Sequence, residues 1–68
     1  MRLSARNTLK GTIVSVTKGA TTAHVVIDIG GATVTSSITN EAVDDLGLVA
    51  GREAYAVVKA SDVMIAID

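Results

Sequence analysis

The run Thr22-Ala-His-Val-Val-Ile-Asp-Ile-Gly-Gly constrains the fold of this chain more than any other stretch. Side chains of an extended strand point to alternate faces. Ala23, Val25, Ile27 and Ile29 therefore fall on one face, and His24, Val26 and Asp28 on the other. Gly30-Gly31 follows at once, and a glycine pair accepts the positive φ of a two-residue hairpin turn at no steric cost. Ala32 to Thr39 (ATVTSSIT) runs back with Val34 and Ile38 on its apolar side. A β-hairpin with one apolar face is the expected starting unit.

The rest of the chain extends the pattern. Ten Val, six Ile and eight Thr make it rich in β-branched residues, whose stiff χ1 suits a pleated surface. Leu9 to Thr17 (LKGTIVSVT) reads as a strand, with Ile13 on one face and Val14 and Val16 on the other, and Lys18-Gly19-Ala20-Thr21 as the turn after it. Glu53 to Ala60 and Asp62 to Ile67 read as two more strands, giving five. The one helix expected is Glu41 to Leu46 (EAVDDL). Thr39 or Asn40 can cap its free amides, Glu41 suits the positive end of its dipole, and Gly47 stands where a left-handed C-cap belongs. Leu48 to Gly51 returns the chain to the sheet. The resulting expectation is an all-β fold, a five-stranded barrel of oligonucleotide/oligosaccharide-binding (OB) type with one short helix. No repeat, linker or low-complexity stretch divides residues 1–68, so a single domain is expected.

Such a barrel has little to fill it. Tyr55 is the one aromatic residue among 68, without Phe or Trp, and a domain of this size buries only about 60% of its unfolded surface. The absence of cysteine removes disulfides and thiolate metal sites as staples. Assembly is the remaining way to bury more surface, so a homo-oligomer is expected. An apolar content of 49% with a net charge of −1 excludes a disordered segment. No run approaches the ~18–20 apolar residues of a membrane helix. Met1-Arg-Leu-Ser-Ala-Arg has no apolar run behind its charges, unlike a secretory signal. The chain thus reads as cytoplasmic, without a membrane partner, and complete from its own Met1. The charge also counts against nucleic acid, which asks for a basic patch.

Catalysis finds few candidates. There is one His and no Cys, and neither a phosphate-cradling GxxxxGK[ST] nor a GxGxxG motif occurs. His24 and Asp28 share a strand face but stand roughly 13 Å apart at strand rise, too far for a dyad. Asp44 and Asp45, adjacent on the helix, point apart. No cluster of His, Cys or carboxylates suggests a bare metal cation. What remains is cationic and hydroxylic: Ser4-Ala-Arg6-Asn7, Lys59-Ala60-Ser61, and Thr39 at a helix start. A fully deprotonated tetrahedral oxyanion only accepts hydrogen bonds. Its site therefore needs Arg or Lys for charge and hydroxyls and amides for the other lone pairs. Each of these pieces alone also describes ordinary solvated surface. Residue chemistry by itself stops at a small β domain able to bind an anion.

Ser4-Ala-Arg-Asn-x-Leu-Lys-Gly11 resembles the opening motif of the molbindin (Mop) family. So do Lys18-Gly19-Ala20, Ser37-Ile-Thr39, Leu46-Gly-Leu48 and Ala56-Val-Val-Lys-Ala-Ser61 with Val63-Met64. The likeness runs in order along essentially the whole chain. It implies a five-stranded barrel assembling as a hexamer, a trimer of dimers, that binds molybdate or tungstate between subunits and uses no catalytic cofactor. By position it implies one dimer-type site of Ser4, Arg6, Asn7, Thr39, Lys59, Ala60 (through its amide) and Ser61. It also implies a threefold-type site, for which Lys18, Gly19 and Ala20 are the candidates. Ala42 stands where some relatives carry a hydroxyl, so a backbone amide or water would have to replace that donor.

The expected function is non-enzymatic molybdate binding for intracellular storage and molybdenum homeostasis. The alternative is a molybdate-sensing module acting through a partner protein. A nucleic-acid-binding barrel of the same fold is a third reading, weakened because stacking platforms need several aromatics and this chain has one. Light scattering on ligand-free protein at micromolar concentration should report the hexamer; a stable monomer would remove the basis for shared sites.

Overall fold

The computed structural model describes residues 2–68; Met1, the first residue of the expected domain, lies outside them. In chain order the elements are β1 (Asn7–Lys18), β2 (Thr22–Asp28), β3 (Thr33–Thr39), the helix α1 (Asn40–Leu46) and β4 (Glu53–Val58), then a 3₁₀ turn at Ala60–Asp62. The strands form one antiparallel sheet in the order β3-β2-β1-β4. The sheet curls into a half-barrel, so that residues of both edge strands line a common cleft.

β1 organises the sheet because it has two partners in succession. Residues Asn7 to Thr12 pair with β4 and residues Thr12 to Lys18 with β2, so Thr12 faces Asp28 on one side and Glu53 on the other. The handover needs close backbone approach. A Cβ at Gly11 would stand 2.2 Å from the carbonyl oxygen of Asp28 and 2.7 Å from the Ile27 side chain. Glycine is the one residue that fits there without displacing β2.

Just beyond, β1 contains a bulge. Ile13 faces Ile27, but the next pair is Ser15 with Val26, which leaves Val14 as the extra residue. A bulge shifts side-chain parity by one. Val16 therefore faces Val25 and packs against the core on the same side as Ile13, not opposite it as strict alternation predicts. Val14 is left exposed.

The hairpin and helix form as their sequences indicate. Ala23, Val25 and Ile27 are buried and Ile29, Val34 and Ile38 pack against them. Gly30 and Gly31 have φ of 92° and 89°, and the Ile29 amide donates to the Ala32 carbonyl at 2.9 Å. Thr39 is the N-cap, its Oγ1 accepting the Ala42 N–H at 3.0 Å. Gly47 closes the helix with φ 62°. Val43 on α1 is 3% exposed and completes a core of six buried residues with Ile13, Ala23, Val25, Ile27 and Ala56. That core contains no aromatic side chain.

The fifth strand is not formed. β4 ends at Val58, and residues 63–68 carry no regular structure and are exposed. The alternation of Val63, Ile65 and Ile67 favours extended backbone, but a strand also needs a hydrogen-bonded neighbour, and no strand among the described residues pairs with the segment. The chain by itself is thus a four-stranded half-barrel with one helix, not a closed five-stranded barrel.

Gly11→Ala should destabilise the fold by ~2 kcal/mol or more, the scale of forced overpacking. For a domain of this size that lowers Tm by roughly 10 °C. Thermal unfolding at fixed protein concentration measures it, and an unchanged Tm would mean that β1 and β2 can separate freely at this point.

Candidate functional site

The cationic motifs meet at one end of the sheet. Asn7, the first residue of β1, pairs with Val58, the last of β4, and its side-chain Nδ2 donates to the Val58 carbonyl at 3.2 Å. Ser4 to Arg6 enter the ladder there and Lys59 to Ser61 leave it. In an antiparallel pair the residues one step past Asn7 and Val58 are Arg6 and Lys59, so two exposed cations flank the end of one ladder. Among the described residues the ion pairs are Lys10 with Glu53 and Lys18 with Asp44; neither Arg6 nor Lys59 has an acidic partner. Two like charges without a counter-charge repel each other, and an anion between them relieves that repulsion.

The turn after β4 adds amide donors. The N–H groups of Asp62 and Val63 bond back to Lys59 and Ala60, as the 3₁₀ geometry requires. Those of Ala60 and Ser61 have no backbone acceptor among the described residues. Ser4, Arg6, Asn7, Lys59, Ala60 and Ser61 are therefore brought to one place, with the Asn7 side chain holding the two strand ends together.

Thr39 lies elsewhere. It pairs with Thr22, next to the Ala23–Lys18 pair at the far end of β1. The length of β1 separates it from Asn7, roughly 35 Å along the strand at ~3.3 Å per residue. Within one chain Thr39 joins the Lys18-Gly19-Ala20 turn. Asn40, beside Thr39, binds that turn twice: its amide donates to the Thr21 carbonyl at 2.9 Å and its Nδ2 to the Gly19 carbonyl at 2.9 Å. The Gly19 amide donates to the Thr22 carbonyl at 2.7 Å, so the backbone of Gly19 is fully used. Lys18 Nζ donates to Asp44 Oδ1 at 2.5 Å, which partly matches its charge. Because Thr39 Oγ1 accepts from Ala42, the Ala42 amide is not free, while the Thr39 hydroxyl proton remains available to donate.

The sequence marks Asn40 only as an alternative cap to Thr39, whereas in the structure it fastens the helix start to the Gly19–Thr21 turn. Its Oδ1 is buried without a hydrogen-bond partner. The sequence signal was present in its position, the first residue after a capping Thr and opposite a Gly-containing turn.

The acidic residues and the histidine do not converge. Asp28 Oδ1 accepts the Gly30 amide at 2.8 Å and shapes the hairpin turn. His24 is exposed on the outer face between Thr17 and Ser37. No group of three or more His, Asp or Glu side chains able to hold a metal ion occurs among the described residues. Nor is any helix there long and apolar enough to cross a membrane.

Residues 3–65 match the TOBE domain family model. Molybdenum-pterin-binding protein 3 of Clostridium pasteurianum is 53% identical over 66 residues, covering 96% of this chain and 97% of its own. A molybdate-binding protein of known structure from Sporomusa ovata superposes with a TM-score of 0.93 at 36% identity, covering 98% of this chain and 100% of that one. The molybdate-bound structure of ModG, described as a cytoplasmic molybdate-binding protein, gives a TM-score of 0.89 at 48% identity. It covers 94% of this chain, which spans 46% of the ModG chain.

Thr39→Val removes the cap and should cost about 1 kcal/mol, whereas Thr39→Ser keeps both the cap and the free hydroxyl proton and should cost little. Denaturant unfolding of the two variants checks this; a loss in Thr39→Ser with none in Thr39→Val would mean that the methyl group, not the hydroxyl, matters here.

Proposed function

The chain belongs to the TOBE domain family, among the molybdenum-pterin-binding (Mop) proteins, and from that premise we propose that it is a non-enzymatic binder of molybdate that holds the oxyanion between copies of itself. The observation that carries the proposal is that Arg6 and Lys59 flank the same ladder end and have no acidic partner among the described residues. Ser4, Asn7, Ser61 and the Ala60 amide supply further donors around the two charges. A dianion that only accepts hydrogen bonds matches this all-donor set.

The separation of Thr39 from the other six residues supports a site made by two chains. An oxyanion spans a few ångströms, far less than the length of β1. A second copy that brings its own Thr39 to the Arg6–Lys59 end completes the set, as the family's dimer-type site implies. Lys18 and the Ala20 amide remain the donors of their turn for a threefold-type site, and a trimer of dimers is the assembly that offers both. The role that follows is storage and buffering of molybdate in the cytoplasm. Tungstate binds equally in this reading, because it has the same charge and nearly the same size.

Sulfate is also a tetrahedral dianion, so charge cannot exclude it. Donors fixed at strand ends and at a capped helix start suit the longer metal–oxygen bond and leave sulfate short of partners. Each bond stretched or lost in a desolvated site costs roughly 1–3 kcal/mol, and two or three give selectivity on the order of a thousandfold.

Calorimetry should find Arg6→Ala and Lys59→Ala each weakening molybdate binding by about 2 kcal/mol, roughly 30-fold, while Lys18→Ala leaves the dimer-type site intact. Parental affinity in Lys59→Ala would refute the residue assignment. In equilibrium dialysis millimolar sulfate should barely displace micromolar molybdate and equimolar tungstate should compete fully. Equal displacement by sulfate would reduce the protein to a general anion binder.

A further inference from the structure

The two proposed anion sites differ in the state of their cations. Arg6 and Lys59 have no acidic partner among the described residues. Lys18, the cation of the Lys18-Gly19-Ala20 turn, is already engaged: its Nζ donates to Asp44 Oδ1 at 2.5 Å. The other ion pair, Lys10 with Glu53 at 3.6 Å, belongs to neither site.

Asp44 does not stand where helix chemistry favours an acid. It lies in the last turn of α1, which holds no basic residue. The carbonyl end of a helix carries partial negative charge and disfavours carboxylates. Asp44 thus gains nothing from its own helix, and its ionic partner is on the turn across from it.

That turn is otherwise fixed. Asn40 holds the Thr21 carbonyl through its amide and the Gly19 carbonyl through Nδ2, each at 2.9 Å. The Gly19 amide is spent on the Thr22 carbonyl. The Ala20 amide has no backbone acceptor among the described residues. The part free to rearrange is the Lys18 side chain. Its contact with Asp44 is an exposed one, with the two side chains 46% and 66% accessible. Such a pair is weak, and its carboxylate returns to water at little cost.

We infer that Asp44 is a resident competitor at the turn, a carboxylate that occupies the Lys18 ammonium until a tetrahedral oxyanion displaces it. This rests on the molybdate reading above and adds a control on affinity to it. A dianion carries twice the charge of Asp44 and also reaches the Ala20 amide, so it can take the place of the carboxylate. It then sits close to the negative charge it has displaced, which weakens its hold further. The turn therefore binds its anion less tightly, and releases it more readily, than Lys18 and the Ala20 amide alone dictate. The Arg6–Lys59 end carries no such competitor.

Calorimetric titration with molybdate tests this on the parent, Asp44→Asn and Asp44→Ala, each with and without Lys18→Ala. The binding that Lys18→Ala removes defines the turn. Both Asp44 variants should tighten that binding by roughly three- to tenfold and leave binding at the Arg6–Lys59 end unchanged. Loss of an acid from the carbonyl end of α1 favours the helix, so the variants keep the fold. Asp45→Asn removes the same charge one residue further on. It should change affinity at the turn by less than about twofold, the effect of a screened charge with no direct contact. Unchanged or weakened binding at the turn in the Asp44 variants would overturn the inference. So would an equal gain in Asp45→Asn, or a gain that survives Lys18→Ala. If no variant binds at the turn while the Arg6–Lys59 end still binds, the competitor is refuted and the molybdate reading stands. A protein that binds no molybdate in any variant loses both.

Discussion

A single strand that changes partner halfway along its length is the constraint on which the rest of the structure depends. β1 gives its first half to β4 and its second half to β2, and the change happens where Gly11 lets the Asp28 carbonyl into the space a side chain would fill. Because β4 is attached only through that first half, its end is delivered beside the start of β1. The Arg6–Lys59 cation pair is a direct result. Because β2 is attached through the second half, the β2–β3 hairpin and α1 are carried to the opposite end, and Thr39 goes with them. The distribution of donors over the molecule is therefore a property of sheet connectivity more than of any one loop.

Much of this was legible in the sequence, and the reasons differ by element. Ala23, Val25 and Ile27 were assigned to the core face because β2 is regular and period two applies without interruption. Thr39 and Gly47 marked both ends of α1 because capping is local chemistry, settled within three or four residues. Strict alternation puts Val16 on the face opposite Ile13, and the structure puts it on the same one, because a bulge is a relation between two strands. Nothing in Thr-Ile-Val-Ser-Val states that Val14 has no partner on β2. Residues 62–67 have a strand's composition, but strand formation is a pairing event, and composition does not name the neighbour.

The candidate site divides along the same line. Its residue types follow from anion chemistry and from a family likeness, and the Asn7–Val58 bond places six of them together as a local consequence of register. That Thr39 sits a full strand away is tertiary information, invisible to any reading that treats a motif as a unit. Asn40 escaped notice for a related reason. Its side chain ties two segments about twenty residues apart, Gly19 and the start of α1.

The bulge at Val14 has a bearing on how the chain can vary. Side-chain parity changes there, so β1 presents Ile13 and Val16, three residues apart, to the same interior. Loss of Val14 would remove the bulge and leave Ile13 and Val16 on one face by simple alternation, whereas gain of one residue between them would turn one of the two outward. Gain of one in the Gly30-Gly31 loop would disturb neither. Extra residues among such domains should accordingly fall in the hairpin loop and not between Ile13 and Val16.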